Sequence, residues 1–212
     1  SPESPEYQRV ENWITQGLRE LPDSKRMLLH HAYLNELQGE HELAMELYLQ
    51  YLSRRDLTFA ERAIAANNLA MLEAGMNRYG EARAHIDQAI ELLGTNAAML
   101  DTRAMVRLCH GQDDDVERAI GELRLALSVT QEPVIQFHLA VALHASGDRN
   151  AARETMEEAQ ANGLVRQELS VLDRVRYDRL IASLKSDATS LNYDGAQHVQ
   201  FVPTPSSGIR TP

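Results

Sequence analysis

Four stretches of the chain share one pattern of small residues and turns. Ala32, Ala70, Ala104 and Ala140 lie 38, 34 and 36 residues apart. Seven residues after each stands a turn former: Gly39, Asn77, Gly111 and Gly147. A second alanine follows each first one by 12, 12, 15 and 12 residues: Ala44, Ala82, Ala119 and Ala152. One helical turn further come Tyr48, Ile86, Leu123 and Met156, and then Tyr51, Ala89, Ala126 and Ala159. Two helices cross closely only where both side chains are small, so the paired alanines mark crossings. Glycine or asparagine ends a helix cheaply because each tolerates the left-handed conformation. The pattern predicts four helix–turn–helix units. A unit of this kind buries its apolar face only against a neighbour, so the units must stack.

Composition agrees with an all-α chain. Leu and Ala supply 28 and 26 of the 212 residues, both strong helix formers, while aromatics are 5%. A β-sandwich would need more β-branched and aromatic residues. The net charge of −10, with no Lys/Arg cluster, argues against nucleic acid and against an anionic membrane surface. No apolar run approaches the ~20 residues that span a bilayer, so no membrane insertion is expected. The single cysteine, Cys109, excludes an internal disulfide and a cysteine-based zinc site. It fits a reducing compartment, which favours the cytoplasm over the periplasm.

Deviations from the pattern fall where loops belong. Asp113–Asp115 are extra residues in the third unit, where Asp114 with Glu117 reads as a capping box. Thr58 with Glu61 reads as another, starting a helix near Phe59, and Pro133 suits a first helical turn. Residues 1–6, SPESPE, read as an extended segment. Residues 186–212 carry three prolines, many Ser, Thr and Gly, and no helical stripe, and read as a disordered tail. Within it Gln197–Val202 alternates weakly, as a pairing strand would.

Over residues 7–185 this arrangement resembles the tetratricopeptide repeat, a helix–turn–helix unit of about 34 residues. The resemblance implies a right-handed α-solenoid. In its register residues 7–22 are half a repeat, with Val10, Ile14 and Gly17 in packing positions and Trp13 at an end or a junction. Four full repeats follow. Residues 168–185 then read as a solvating helix, with Leu172, Val175, Leu180, Ile181 and Leu184 covering the last repeat and Arg174, Arg176, Asp178 and Arg179 in water. Asn35, Glu73 and Arg107 stand where the family often has tyrosine. The opening half repeat and the Ser1 start imply a segment of a larger, bacterial repeat protein.

Chemistry-bearing motifs are absent. The chain has no GxSxG, GxxxxGK[ST], HExxH or GxGxxG, so it reads as a non-enzyme without a cofactor. His30 and His31 are adjacent, and His138 and His144 are six apart, so neither pair shares a helix face as metal ligands would. Counting a calcium loop from Asp113 puts Arg118 where glycine is required. Cys109, beside His110, reads as a small buried residue.

What the resemblance implies about function is a concave groove lined by first helices. The register puts Arg26, Leu29, Tyr33 and Glu36 there from the first repeat, and Asn67, Asn68 and Met71 from the second. It adds Asp101, Thr102, Met105 and Leu108 from the third, and Phe137, His138, Val141 and His144 from the fourth. Arg83 and Glu122 fall on the convex side. Asn67 would hold a peptide backbone by donating and accepting together, and Asp101 would select a basic partner. One subset of the family clamps acidic C-termini with lysines and asparagines. Here Leu29, Tyr33, Ala98 and Thr102 occupy all of those positions but that of Asn68, so an acidic C-terminus is not expected. The expectation is a protein-interaction scaffold holding a partner's peptide or helix. Its rivals are a purely structural repeat segment and a regulatory domain of an enzyme.

Overall fold

A computed structural model describes residues 5–112 and 114–190. Ten α-helices follow one another: α1 (Pro5–Glu20), α2 (Lys25–Gln38), α3 (His41–Leu52), α4 (Phe59–Gly75), α5 (Tyr79–Leu93), α6 (Ala97–His110), α7 (Asp115–Leu127), α8 (Pro133–Ala145), α9 (Arg149–Ala161) and α10 (Val171–Ser190). A single 3-10 turn, Arg166–Glu168, precedes the last. No strand occurs among the described residues. The four repeats are the pairs α2/α3, α4/α5, α6/α7 and α8/α9, with α1 as the half repeat.

The alanine pattern is the skeleton of this stack. All eight crossing alanines are 0% exposed. The bulky residues one turn later, Tyr48, Ile86, Leu123 and Met156, are buried with them, as are Tyr51, Ala89, Ala126 and Ala159. The turn formers all take positive φ: 84° at Gly39, 62° at Asn77, 69° at Gly111 and 88° at Gly147. Asparagine is the residue that bears such a φ at least cost after glycine. At the start of α4, Thr58 and Glu61 form the expected reciprocal capping box. Pro133 opens α8, where its missing N–H is no loss.

Crossings this tight set a stability test. Ala82→Leu and Ala152→Leu each insert a branched side chain where neither has any exposed surface. Each should lower the unfolding free energy by about 1–3 kcal/mol. Chemical denaturation reads this directly, and a neutral result at both sites would mean that the repeat register is wrong.

Several local expectations are corrected. The N-terminal segment is not extended through residue 6, because α1 begins at Pro5, which suits a first helical position. Residues 1–4 lie outside the described residues. Asp114 and Glu117 form no capping box, and the Asp114 side chain makes no cap bond. Asp115 instead ties the loop before α7 to the end of α6, accepting from the Gln112 N–H at 3.1 Å beside His110 Nδ1 at 3.0 Å. α10 runs to Ser190, so it takes in the first five residues of the expected tail. The rest of that tail, with Gln197–Val202, lies outside the described residues.

The polar residues at tyrosine positions are satisfied within their own repeats. Asn35 Nδ2 donates to the His31 carbonyl at 2.8 Å. Glu73 is buried, with an oxygen 2.7 Å from His85 Nδ1. Arg107 donates to Glu122 at 3.2 Å. Glu122 also lies 2.7 Å from Arg103 Nε, so it is not the idle convex residue expected but a brace between α6 and α7. Trp13 is 49% exposed and stacks obliquely on His30, with Arg26 over its ring.

Candidate functional site

The helix expected to cover the last repeat does more than that. The C-terminal half of α10 lies along the final pair: Leu180 and Leu184 are buried with α8 and α9, and His144 Nε2 lies 2.7 Å from Ser183 Oγ. Its first turn goes elsewhere. Val171 sits against Gly39 at the end of α2. Leu172 packs with the first-repeat core, and a Cβ at Gly75 would collide with its Cδ1. Gly75 therefore serves no turn, since that work falls to Asn77. It is the gap that admits α10. Leu172 covers the first repeats rather than the last, and Val175, expected to pack, is 44% exposed.

A chain of charges fastens this helix across the concave face. His138 Nδ1 of α8 lies 2.7 Å from Asp101 Oδ1 of α6. On its other side Nε2 lies 3.5 Å from Asp173 Oδ1 of α10, at ion-pair range but without a hydrogen bond. Arg176 Nη1 donates to the same Asp173 oxygen at 2.6 Å, and its Nη2 donates to Cys109 Sγ at 3.2 Å. The Ser170 hydroxyl donates to Asp173 at 2.8 Å and accepts from its backbone N–H, capping α10. Arg176 is thus not in water as expected, because Asp173 and Cys109 draw it inward. Cys109 is half-buried rather than a core residue.

Electrostatics follow from that burial. Burial alone would lower the His138 pKa, but the Asp101 and Asp173 carboxylates outweigh it and hold it up at about 10. Asp173 is pushed up by burial and pulled further down by His138 and Arg176, ending below the usual carboxylate range. Glu36 is raised by burial to about 7, with the Tyr48 hydrogen bond opposing and the Asp173 charge adding. Tyr48 donates to Glu36 at 2.9 Å.

Of the groove residues expected from the register, the structure leaves some open and closes others. Arg26 and Tyr33 are exposed, and Leu29, Asn67, Asn68 and Met71 are half-buried on the same run of first helices. Asn67 Oδ1 is itself buried and accepts no hydrogen bond among the described residues, so only its amide nitrogen can reach a peptide. Asn68 turns toward the Tyr48 hydroxyl. Asp101 is buried, with one carboxylate oxygen already engaged by His138. Thr102, Met105 and Phe137 are core residues, and His138 is enclosed by its two carboxylates. Val141 and His144 do reach open space. With Arg176, Arg179 and Leu180 of α10 they line a cavity of about 320 Å³. Asp173, Arg176 and Leu172 were not among the expected site residues. The signals were there in Gly75, a helical glycine two residues before the turn, and in the i, i+3 pair Asp173–Arg176.

No family model matches the chain, and no curated protein matches it in sequence. Its likeness to solved structures lies in the fold. The structure titled APC/C hetero-tetramer Cut9-Hcn1 superposes on 72% of this chain with a TM-score of 0.60 at 15% identity. PilF of Pseudomonas aeruginosa superposes on 90% of it, and on 87% of PilF itself, with a TM-score of 0.56 at 20% identity. A MamA double mutant covers 78% of this chain and 84% of its own, with a TM-score of 0.51 at 13% identity. These neighbours are tetratricopeptide-type repeat proteins. The chain has the tetratricopeptide-repeat fold. As a tetratricopeptide solenoid it spans less than a third of the Cut9-Hcn1 chain, at 29%. Among the described residues, no helix of this solenoid is long and apolar enough to cross a membrane.

Proposed function

We propose that this solenoid is a non-enzymatic protein-interaction scaffold that holds a partner's peptide or helix on the open part of its concave face. The observation that carries the reading is the run of accessible side chains on α2 and α4, with Tyr33 48% exposed. Tyr33, Met71 and the Asn67 amide offer aromatic, adaptable apolar and hydrogen-bonding contact, the mixture that peptide grooves use. Arg26 is the exposed charge of that run, and the lysine-rich set that clamps acidic C-termini is missing, so the occupant is a peptide anchored by apolar side chains. The repeat proteins it resembles in fold include one from a hetero-tetramer, Cut9-Hcn1 of APC/C.

A second reading has its own support. α10 already fills the middle of the concave face, as it would in a segment whose surfaces only stack on neighbouring repeats. The two are separated by a photo-crosslinking amino acid placed at Tyr33 or at the exposed Arg124 of α7. A scaffold gives a partner adduct from position 33 and none from 124. Tyr33→Ala with Met71→Ala should then weaken that partner at least ~10-fold, or about 1.4 kcal/mol. Adducts from 124 alone, or binding untouched by the double substitution, would remove the groove reading.

A further inference from the structure

A second cavity, of about 220 Å³, opens between α5 and α6. It lies on the side of α6 opposite the groove positions: Arg103, Arg107 and His110 stand about half a turn from Asp101, Met105 and Leu108. Three guanidinium side chains line it, Arg83 from α5 and Arg103 and Arg107 from α6. Two of them are held in place from behind. The Glu122 carboxylate of α7, which is not in the cavity wall, accepts from Arg107 Nε at 3.2 Å and lies 2.7 Å from Arg103 Nε, at ion-pair range but without a hydrogen bond. Each guanidinium has five N–H groups, so a carboxylate at the Nε edge does not exhaust them, and on Arg107 a further one, Nη1, lies 3.5 Å from Asp115. Arg83 is 79% exposed at its side chain, with Asp87 no nearer than 3.8 Å.

The backbone adds to this. α5 starts at the cavity wall with Tyr79 and Gly80, and its N-cap residue, Arg78, supplies no capping acceptor. The first turn of a long helix carries partial positive charge, and here the Glu81 carboxylate takes its own N–H and leaves those of Tyr79 and Gly80. At Gly80 a Cβ would meet nothing within 4 Å, so the chain there is open to the space beside it. Two carboxylates also line the cavity. Asp115 is occupied by the Gln112 N–H, His110 and Arg107, and Asp87 lies at the edge, half exposed, beside Arg83.

We propose that this cavity is a phosphoryl-binding site, in which Arg83, Arg103 and Arg107, with the first turn of α5, hold the phosphate of a phosphorylated side chain or of a small phosphate compound. The match is in the count of oxygens. A phosphate monoester presents three strong acceptor oxygens and nearly two negative charges. One guanidinium already satisfies both oxygens of a carboxylate, whereas three guanidiniums from two helices suit a phosphoryl group.

The test is titration of the ¹⁵N-labelled chain with inorganic phosphate, and separately with a phosphoserine peptide of Gly and Ser, at constant ionic strength. The expected result is saturable movement of the Gly80 amide and the Arg103 and Arg107 Nε–H signals, with a Kd of about 1 mM or tighter. Arg83→Glu should weaken binding at least ~10-fold, and Arg124→Glu should leave it unchanged. The Arg83 side chain is 79% exposed and its ion pair with Asp87 spans 3.8 Å, so its substitution should leave the fold intact, which thermal melting checks. If the peptide binds more tightly than inorganic phosphate, the source is a phosphorylated protein; the reverse order points to a small phosphate compound. Movement that rises linearly with either probe, or is the same in Arg83→Glu, would overturn the proposal.

Discussion

Asp173→Ala should lower the unfolding free energy by about 3–5 kcal/mol, the cost of removing one partner from a buried ion pair. Asp173 is nearly enclosed and serves three groups: His138, Arg176 and the Ser170 cap. Its loss leaves the Arg176 guanidinium half-buried with only Cys109, and leaves the buried His138 with Asp101 alone. Asp173→Asn keeps the cap and removes the charge, and should cost less. The pH dependence gives the claim a second handle. His138 has its pKa raised from 6.5 to about 10, so its contribution is complete below 6.5 and is lost as pH rises through about 10. Asp173 has its pKa depressed from 3.8, so its contribution is complete above 3.8 and is lost as pH falls through the lower folded value. The wild-type chain should therefore lose stability from these groups as pH rises from 7 to 10, and Asp173→Ala should lose less over the same interval. Urea titrations of both proteins at several pH values measure the difference. Equal slopes would mean that the Asp173–His138 pair is not formed.

Phe137→Ala should cost about 3–5 kcal/mol, the range for deleting a buried aromatic side chain. The ring is 0% exposed and meets Tyr177 of α10, with centroids 5.9 Å apart. As a groove contact, the same residue would have affected binding and left stability nearly untouched. Equilibrium denaturation separates the two, and a loss below about 1 kcal/mol would return Phe137 to the groove. Tyr33→Ala, at an exposed position of the same face, is the matched comparison and should be near neutral.

These two residues show where the sequence was readable. The crossings at Ala32/Ala44 or Ala82 and the turns at Gly39 and Asn77 depend on side-chain size and backbone φ, which are local properties with a fixed spacing. They could be placed without knowing what else the chain does. The groove list includes Phe137 and His138, which are buried, because accessibility depends on what covers a position, and Tyr177 and Asp173 of α10 come from far along the chain; Met105 and Thr102 are buried within the stack as well. The face of α10 was misread for a related reason. Arg176 is charged and was assigned to solvent, and Asp173 was given no role, but the two pair with each other and Asp173 faces His138, while Val175 is left exposed. Periodicity identifies an apolar stripe and does not say which neighbour it will meet. Two residues carried readable hints. Gly75 weakens α4 without making its turn, and so asks for a close approach. His138 stands one position beyond the equivalent of Asp101 on the preceding first helix, where a pair across the repeats is within reach.

The claim that the chain's own last helix closes the middle of the concave face is tested most directly by nuclear Overhauser contacts of Leu172. With its methyl groups selectively labelled, the account predicts contacts from Leu172 to the Gly75 α-protons and to the α2/α3/α4 core, and from Leu180 to Val141. If α10 only caps the last repeat, Leu172 will show contacts to α8 and α9 and none to Gly75. That result would contradict the closure, and with it the division of the concave face into open and covered parts.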